Sequence, residues 1–382
     1  MGWVSRARIG GRGWAVLGVY GLSHAAVDAA CAAILLAAVT TGRIPAAQAL
    51  IAFLLYNVLA FALQPGFGLL VDRWRAERPT AAVGAVLTAV ALPLSLMPGM
   101  TLAGIVLAGL GNAIFHVGGG AVSLRLSPGS ATVPGVFVAP GAAGLAAGTL
   151  LGKTGGPLWI PAAILAALAI AIGALPVAFP AAGSPGAAAG AAAGASARPP
   201  ASTGFGVDVA VLLVLLVVVM RSFTGLAIAL PWKAQLPLLA ALTAAIVLGK
   251  ATGGVLADRF GHARVGVGAL AFCAPLLMLA TQSPVAGVLG MFVFNMTMPV
   301  TLVAVAKAVP DYPGFAFGTA SLAIVIGALP ALVGWPVLLS GVPSIAAAVW
   351  GSAVVLGVAL YWLAHGRLFA RATPPTMTEV AE

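Results

Sequence analysis

Few residues in this chain could do chemistry, and those few lie in apolar surroundings. His24 and Asp28 are spaced i, i+4 within one apolar stretch, and Asn112 and His116 repeat that spacing in another. Each pair therefore shares one face if its stretch is helical. Arg221 and Asn295 stand in two further apolar stretches. An imidazole titrates near neutral pH, so a carboxylate beside it points to proton exchange, while a guanidinium attracts an anion. In hydrocarbon an ionised group costs at least a few kcal/mol unless it is paired or hydrated, which makes each of these a functional candidate. Asp28 follows Trp14 by fourteen residues and Arg221 follows Val207 by fourteen, each roughly 21 Å along a helix. The equal depths predict that the two meet in an internal polar site. Lys250 is a secondary candidate, placed to snorkel towards the charged end of its stretch.

The elements that must hold these groups follow from composition. With 62% hydrophobic and 7% charged residues over 382 positions, too little polar surface exists to cover a globule in water. The solvent is a lipid bilayer, where backbone groups are satisfied internally, and the runs are too long for barrel strands. Spans are expected near 14–40, 46–70, 80–97, 101–124, 132–151 and 159–179, then 207–230, 235–256, 265–280, 285–305, 315–339 and 344–363. The stretch between the sixes is rich in Ala, Gly, Ser and Pro and lacks bulky apolar residues, so it reads as a flexible linker. The domains are thus a first bundle over 1–180, a linker over 181–206, a second bundle over 207–366 and a tail over 367–382. Cys31 and Cys273 both fall inside spans and form no disulfide or metal pattern.

The basic residues orient the bundle. Arg6, Arg8, Arg12, Arg73, Arg75, Arg78, Arg125, Arg198, Arg259, Arg264, Lys307, Arg367 and Arg371 fall on one side, and only Arg43, Lys153 and Lys233 on the other. The positive-inside rule puts the first side, with both termini, in the cytoplasm of a cell whose inner (plasma) membrane holds the chain. The net charge of +10 is then a matter of topology and anionic headgroups, and no nucleic-acid partner is inferred.

The halves are copies. Gly68 Leu69 Leu70 Val71 Asp72 Arg73 returns as Gly254 Val255 Leu256 Ala257 Asp258 Arg259, an offset of 186, and Asn112 is echoed by Asn295 at 183. Each Asp-Arg turn lies where an apolar run meets a charged loop. A carboxylate there is favoured near a helix N-terminus and an arginine can bridge carboxylates, so such a turn can clasp neighbouring helix ends.

Twelve spans in two sixes, with glycine and Asp-Arg turns after spans two and eight, resemble the major facilitator superfamily over essentially the whole chain. Its turn pattern runs Gly, three residues, Asp, Arg, any residue, Gly, then basic residues. The second copy keeps Gly254, Asp258, Arg259, Gly261 and Arg264, whereas the first places Arg75 where the glycine would stand. The resemblance implies an all-α membrane protein of two pseudo-symmetric six-helix bundles, with spans one, four, seven and ten lining a central cavity. It also implies gating by Gly68, Asp72, Arg73, Gly254, Asp258 and Arg259. Strings around His24, Asp28, Asn112 and His116 are similar to the fosmidomycin-resistance branch, although Val117 to Gly120 stand where that branch has Pro and an acid. Glycines 144, 148 and 152 in span five loosely resemble the glycine-rich motif of antiporters in the superfamily.

The function expected is proton-coupled secondary transport of a small anionic or amphipathic molecule by alternating access. Asp28, His24 and His116 would carry the proton, and Arg221, Asn112 and Asn295 would bind substrate. Efflux by antiport is favoured over its alternatives, an uptake symporter or facilitator of a small organic anion, or a transport-inactive scaffold. No nucleophile, metal-ligand or phosphate-cradling constellation is read, so no cofactor, metal or enzyme activity is expected, and the chain is expected to work as a monomer.

Overall fold

The computed structural model describes residues 9–180, 205–333 and 341–365. Its first bundle contains α1 (Gly11–Thr40), α2 (Ala46–Trp74), α3 (Glu77–Leu96), α4 (Thr101–Leu126), α5 (Thr132–Thr154) and α6 (Trp159–Ala174). Its second contains α7 (Phe205–Ala227), α8 (Leu236–Phe260), α9 (His262–Met278), α10 (Pro284–Ala308), α11 (Pro313–Leu332) and α12 (Val342–His365). Ten of these are long and apolar enough to cross a membrane, and α6 and α9 are shorter apolar helices. They match the expected spans one for one. The expected linker lies outside the described residues except where Phe205 and Gly206 open α7, and the expected tail lies outside them entirely.

Large apolar side chains remain exposed on the outer faces, Ile170 at 73% and Val354 at 68% among them, as lipid permits. Lipid tails are as apolar as Leu, so hydrophobicity cannot pull one helix onto another, and close packing at small residues does so instead. Along α5, Gly144, Gly148 and Gly152 lie against the backbone of Ala25, Ala29 and Ala33 on α1, and a Cβ at any of them would run into those carbonyl oxygens. The glycine stripe that suggested an antiporter is therefore accounted for by packing inside one bundle.

Two helices are interrupted. α2 contains a π-turn over Val58–Ala62 just before Pro65, whose missing N–H leaves the Phe61 carbonyl without its helical donor. α10 breaks at Met296 between Pro284–Asn295 and Thr297–Ala308, where Pro299 cannot donate to the Asn295 carbonyl. This break exposes backbone acceptors inside the second bundle.

The turns after α2 and α8 both use a positive φ but differ in ψ, 43° at Arg75 and 137° at Gly261. Arg75 adopts φ 50°, the left-handed region, and Gly261, 186 positions later, has φ 101°. Arg75 thus takes the tight turn that a glycine would occupy more cheaply, at about 1–2 kcal/mol.

If the α1–α5 seam depends on absent side chains, Gly144→Leu and Gly148→Leu overpack it by about 1–3 kcal/mol each. Both then unfold at lower temperature in detergent, while Gly18→Leu, where added atoms meet open space, leaves the midpoint unchanged in the same thermal assay.

Candidate functional site

The first bundle gathers its polar residues into one cluster. His24 and Asp28 project from α1, and Asn112 and His116 from α4. The His24 Nε2 stands 3.3 Å from one Asp28 oxygen and the His116 Nε2 stands 3.5 Å from the other. The two Nε2 atoms are 2.9 Å apart, and Asn112 Nδ2 donates to Asp28 at 3.4 Å. Each ring is also tied to backbone, His24 Nδ1 to the Phe137 carbonyl and His116 Nδ1 to that of Asn112, both at 2.9 Å. Both histidines are buried. Gly141 on α5 makes room for the cluster, since a Cβ there would strike His24 and Asp28.

The second bundle holds a cavity of about 260 Å³. Arg221 on α7 and Lys250 on α8 supply cations to its wall, and Asn295, Ser222, Thr301 and Ser321 supply neutral polar groups. Phe294, Ile246, Met291 and Leu226 make much of the rest apolar, and among the described residues no Asp or Glu lines it. Arg221 donates from an Nη to the Phe294 carbonyl at 3.1 Å, at the α10 break, and its guanidinium lies 4.9 Å from the centre of the Phe294 ring. Its Nε is buried without a hydrogen-bond partner.

This arrangement corrects three expectations. Asp28 and Arg221 do not pair: each meets partners within its own bundle, the acid two histidines and the guanidinium the carbonyl and ring of Phe294. Lys250 does not snorkel to the charged end but lines the cavity, within electrostatic reach of Asp28 on one side and Arg221 on the other. Of the helices expected to line the cavity, α7 and α10 do so, joined by α8, α11 and Val138 of α5, whereas α1 and α4 hold the acid–histidine cluster instead. Asn112 accordingly sits with that cluster and away from the cavity, while Asn295 lines it. Phe317 of α11 separates the two sites. It forms part of the cavity wall, and its ring centre is 6.5 Å from that of His116.

At one end of the molecule each bundle caps a helix of the other. Asp72 accepts the backbone N–H of Gly314 at 2.9 Å and of Phe315 at 2.8 Å, at the start of α11. Asp258 accepts the N–H of Ala131 at 2.7 Å and of Thr132 at 3.0 Å, with the hydroxyls of Ser130 and Thr132, at the start of α5. Gly68 and Gly254 allow these approaches, because a Cβ on either would strike backbone of the opposite bundle. Arg73 and Arg259 are exposed and take part in neither clasp; among the described residues the ion pair at this end that holds an arginine is Arg125 with Glu77, at 2.7 Å. The clasps also differ, since Asp258 has His262 at 3.5 Å, and Lys307 Nζ stands 3.5 Å from that ring.

No protein-family model matches the chain, and no curated protein matches it in sequence. Solved structures do. A variant of the E. coli fucose:proton symporter FucP superposes with a TM-score of 0.61 at 16% identity, covering 93% of this chain and 98% of that one. FucP in the outward conformation, described as a major facilitator superfamily transporter, superposes at 0.60 with 14% identity, covering 90% and 99%. The chain has the major facilitator fold, as its helix count and repeated turns implied.

If the clasps hold this end shut, removing a carboxylate frees it, and Asp258 with four donors matters more than Asp72 with two. Hydrogen bonds to a charged group contribute about 1.5–3 kcal/mol each. Spin labels placed at the exposed Trp74 and Phe260, with Cys31 and Cys273 changed to Ser, should report a wider distance population in Asp258→Ala than in Asp72→Ala, and the narrowest in the parent.

Proposed function

We propose that this chain is a proton-coupled secondary transporter that carries a small organic anion by alternating access, proton and anion crossing together. One observation carries the reading. A cavity walled by Arg221 and Lys250 among mostly apolar side chains, with no carboxylate among its described lining residues, adjoins an acid–histidine cluster across the ring of Phe317. Two cations face this low-dielectric cavity and Asp28 is near enough to Lys250 to offset only one of them, so the net charge of the site suits an anionic ligand. The apolar wall suits a ligand with a hydrocarbon part, and Asn295 is placed to hold its polar end.

The sign of coupling follows from charge. A proton taken up at His24, His116 or Asp28 and an anion held at Arg221 and Lys250 attract each other, so each raises the affinity for the other by the same factor. That favours symport, whereas a cationic substrate would compete with the proton and favour antiport. FucP is a proton symporter, and the glycine pattern that had favoured efflux belongs to the α1–α5 seam. Fucose itself carries no charge, so its identity as substrate does not transfer to a cavity with two cations.

In the working orientation, the excess of Lys and Arg at the clasp end makes that end cytoplasmic. The arrangement described is then the one closed to the cytoplasm, with Asp72 and Asp258 as its latches, in a monomer spanning the inner (plasma) membrane with both termini inside. A scaffold that lost transport would have no need to keep both Arg221 and Lys250 on an internal cavity wall.

Proteoliposomes with an inward proton gradient test this. Short carboxylates with apolar tails should accumulate with the gradient, and Arg221→Ala should weaken their apparent affinity about 30-fold, near 2 kcal/mol for a lost charge-assisted contact. Accumulation that ignores the gradient, or an Arg221→Ala protein that transports normally, would sink the proposal.

A further inference from the structure

The hydrogen-bond pattern of the two histidines restricts where protons can be. The Nδ1 of His24 faces the Phe137 carbonyl, and the Nδ1 of His116 faces the Asn112 carbonyl. A carbonyl offers lone pairs and no proton, so both Nδ1 atoms must carry hydrogen. A neutral imidazole has a single N–H, which leaves both Nε2 atoms as bare acceptors. Yet these atoms face each other at 2.9 Å, with the ring planes at 85°. The ionised carboxylate of Asp28, also an acceptor, stands 3.3 Å and 3.5 Å from them. Acceptors therefore converge from three side chains, and the side-chain donor in contact with them, Asn112 Nδ2, is aimed at Asp28.

We propose that the cluster holds one excess proton as an N–H···N bridge between His24 and His116, with Asp28 its ionised counter-ion. The inference rests on the proton-coupled reading above and moves the proton carrier from Asp28 to the histidine pair. With the bridge loaded, the pair is +1 and Asp28 is −1, so the buried cluster is neutral. When the proton leaves to water, the cluster is −1 and two lone pairs oppose each other at hydrogen-bonding distance, so the rings must part.

Geometry selects which ring moves. His24 is held by the Phe137 carbonyl and backed by Gly141, where even a Cβ would collide with it. His116 is tied only to its own helix and faces Phe317 of α11, the ring shared with the cavity wall. Loss of the proton thus presses on the seam between the bundles. Besides Asp28 on α1, the charged or titratable groups near the pair are Lys250 from α8, Tyr56 from α2 and Cys31 from α1. Among the described residues, α5 and α11 face the pair with the Phe137 carbonyl and ring, Gly141 and the Phe317 ring, none of them titratable. Lys250 opposes loading until an anion in the cavity offsets its charge.

The chain has four histidines, so His262→Gln with His365→Gln leaves the pair alone for nitrogen-15 NMR of the detergent-solubilised protein. Both rings should keep a protonated Nδ1 at every pH, and one further proton should titrate as a signal shared by the two Nε2 atoms. His24→Gln should abolish that shared signal. Asp28→Asn should keep it, with the midpoint lowered by about one pH unit or more, the scale of a lost neighbouring charge. A titration that vanishes in Asp28→Asn, or bare Nε2 atoms on both rings at all pH values, overturns the proposal, as does stoichiometric Zn²⁺ retained by the purified protein at this cluster. Should the double variant not fold, infrared spectra of the parent decide: a protonated-carboxyl band that disappears in Asp28→Asn overturns the bridge, and its absence at the loaded pH supports it. Gradient-independent anion uptake would defeat the coupling reading while leaving the bridge standing, and gradient-driven uptake without a bridge would defeat the bridge alone.

Discussion

Two carboxylates, each seated on the first turn of a helix from the opposite bundle, fix how the halves of this molecule meet. The first N–H groups of a helix have no partner within it and carry partial positive charge, so Asp72 at α11 and Asp258 at α5 satisfy a need that every helix has. The bond requires very close approach, which Gly68 and Gly254 permit by having no side chain. Little else in an apolar bundle could hold the two halves so specifically, because packing energy in lipid discriminates weakly between one rotation and another. Carboxylate caps are also easily exchanged for water at a membrane border. A latch made this way is firm while closed and inexpensive to release.

The pseudo-symmetry that places the latches does not extend to the charges inside. Gln64 of α2 and Lys250 of α8 occupy equivalent positions 186 residues apart, yet one is a buried amide and the other a cation on the cavity wall. The acid and two histidines stand in the first bundle and the two cations in the second. Duplication supplied two equivalent frames, and the division of acidic and basic groups between them gives the interior a polarity across the seam that the proposed cycle would move. A charge separation within one bundle would be indifferent to rocking, whereas one divided between bundles responds to it.

Much of the frame could be read from residues alone. Apolar runs bounded by Gly, Pro and charge set twelve helices close to where they are found, and the repeated Asp-Arg turn marked both latches. The sequence pattern overrated the arginines, however, since the carboxylates do the latching and Arg73 and Arg259 are exposed. Depth along a helix placed Asp28 and Arg221 at one level but said nothing of azimuth, so their expected pairing failed. Arg221 turned instead to the Phe294 carbonyl at the α10 break, a break signalled by Pro299, which has no N–H for the neighbouring Asn295 carbonyl. The two i, i+4 pairs were visible separately. That both histidines would present Nε2 to the same carboxylate depended on the crossing of α1 and α4, which no local pattern encodes.

In the proposed cycle the ring of Phe317 explains how two sites that share no hydrogen bond could still be coupled. The ring neighbours both His116 and the cavity, and it packs on Gly120, where any larger residue would collide with it. Phe317 belongs to α11, whose first turn is the helix end capped by Asp72. A displacement of His116 on proton loss would therefore push on the same helix that the latch grips about one turn away, and an anion drawn to Lys250 would act from the cavity. Proton, substrate and latch would then bias a single rigid element, which satisfies the requirement that coupled sites share a body with two positions instead of a chain of gradual distortions.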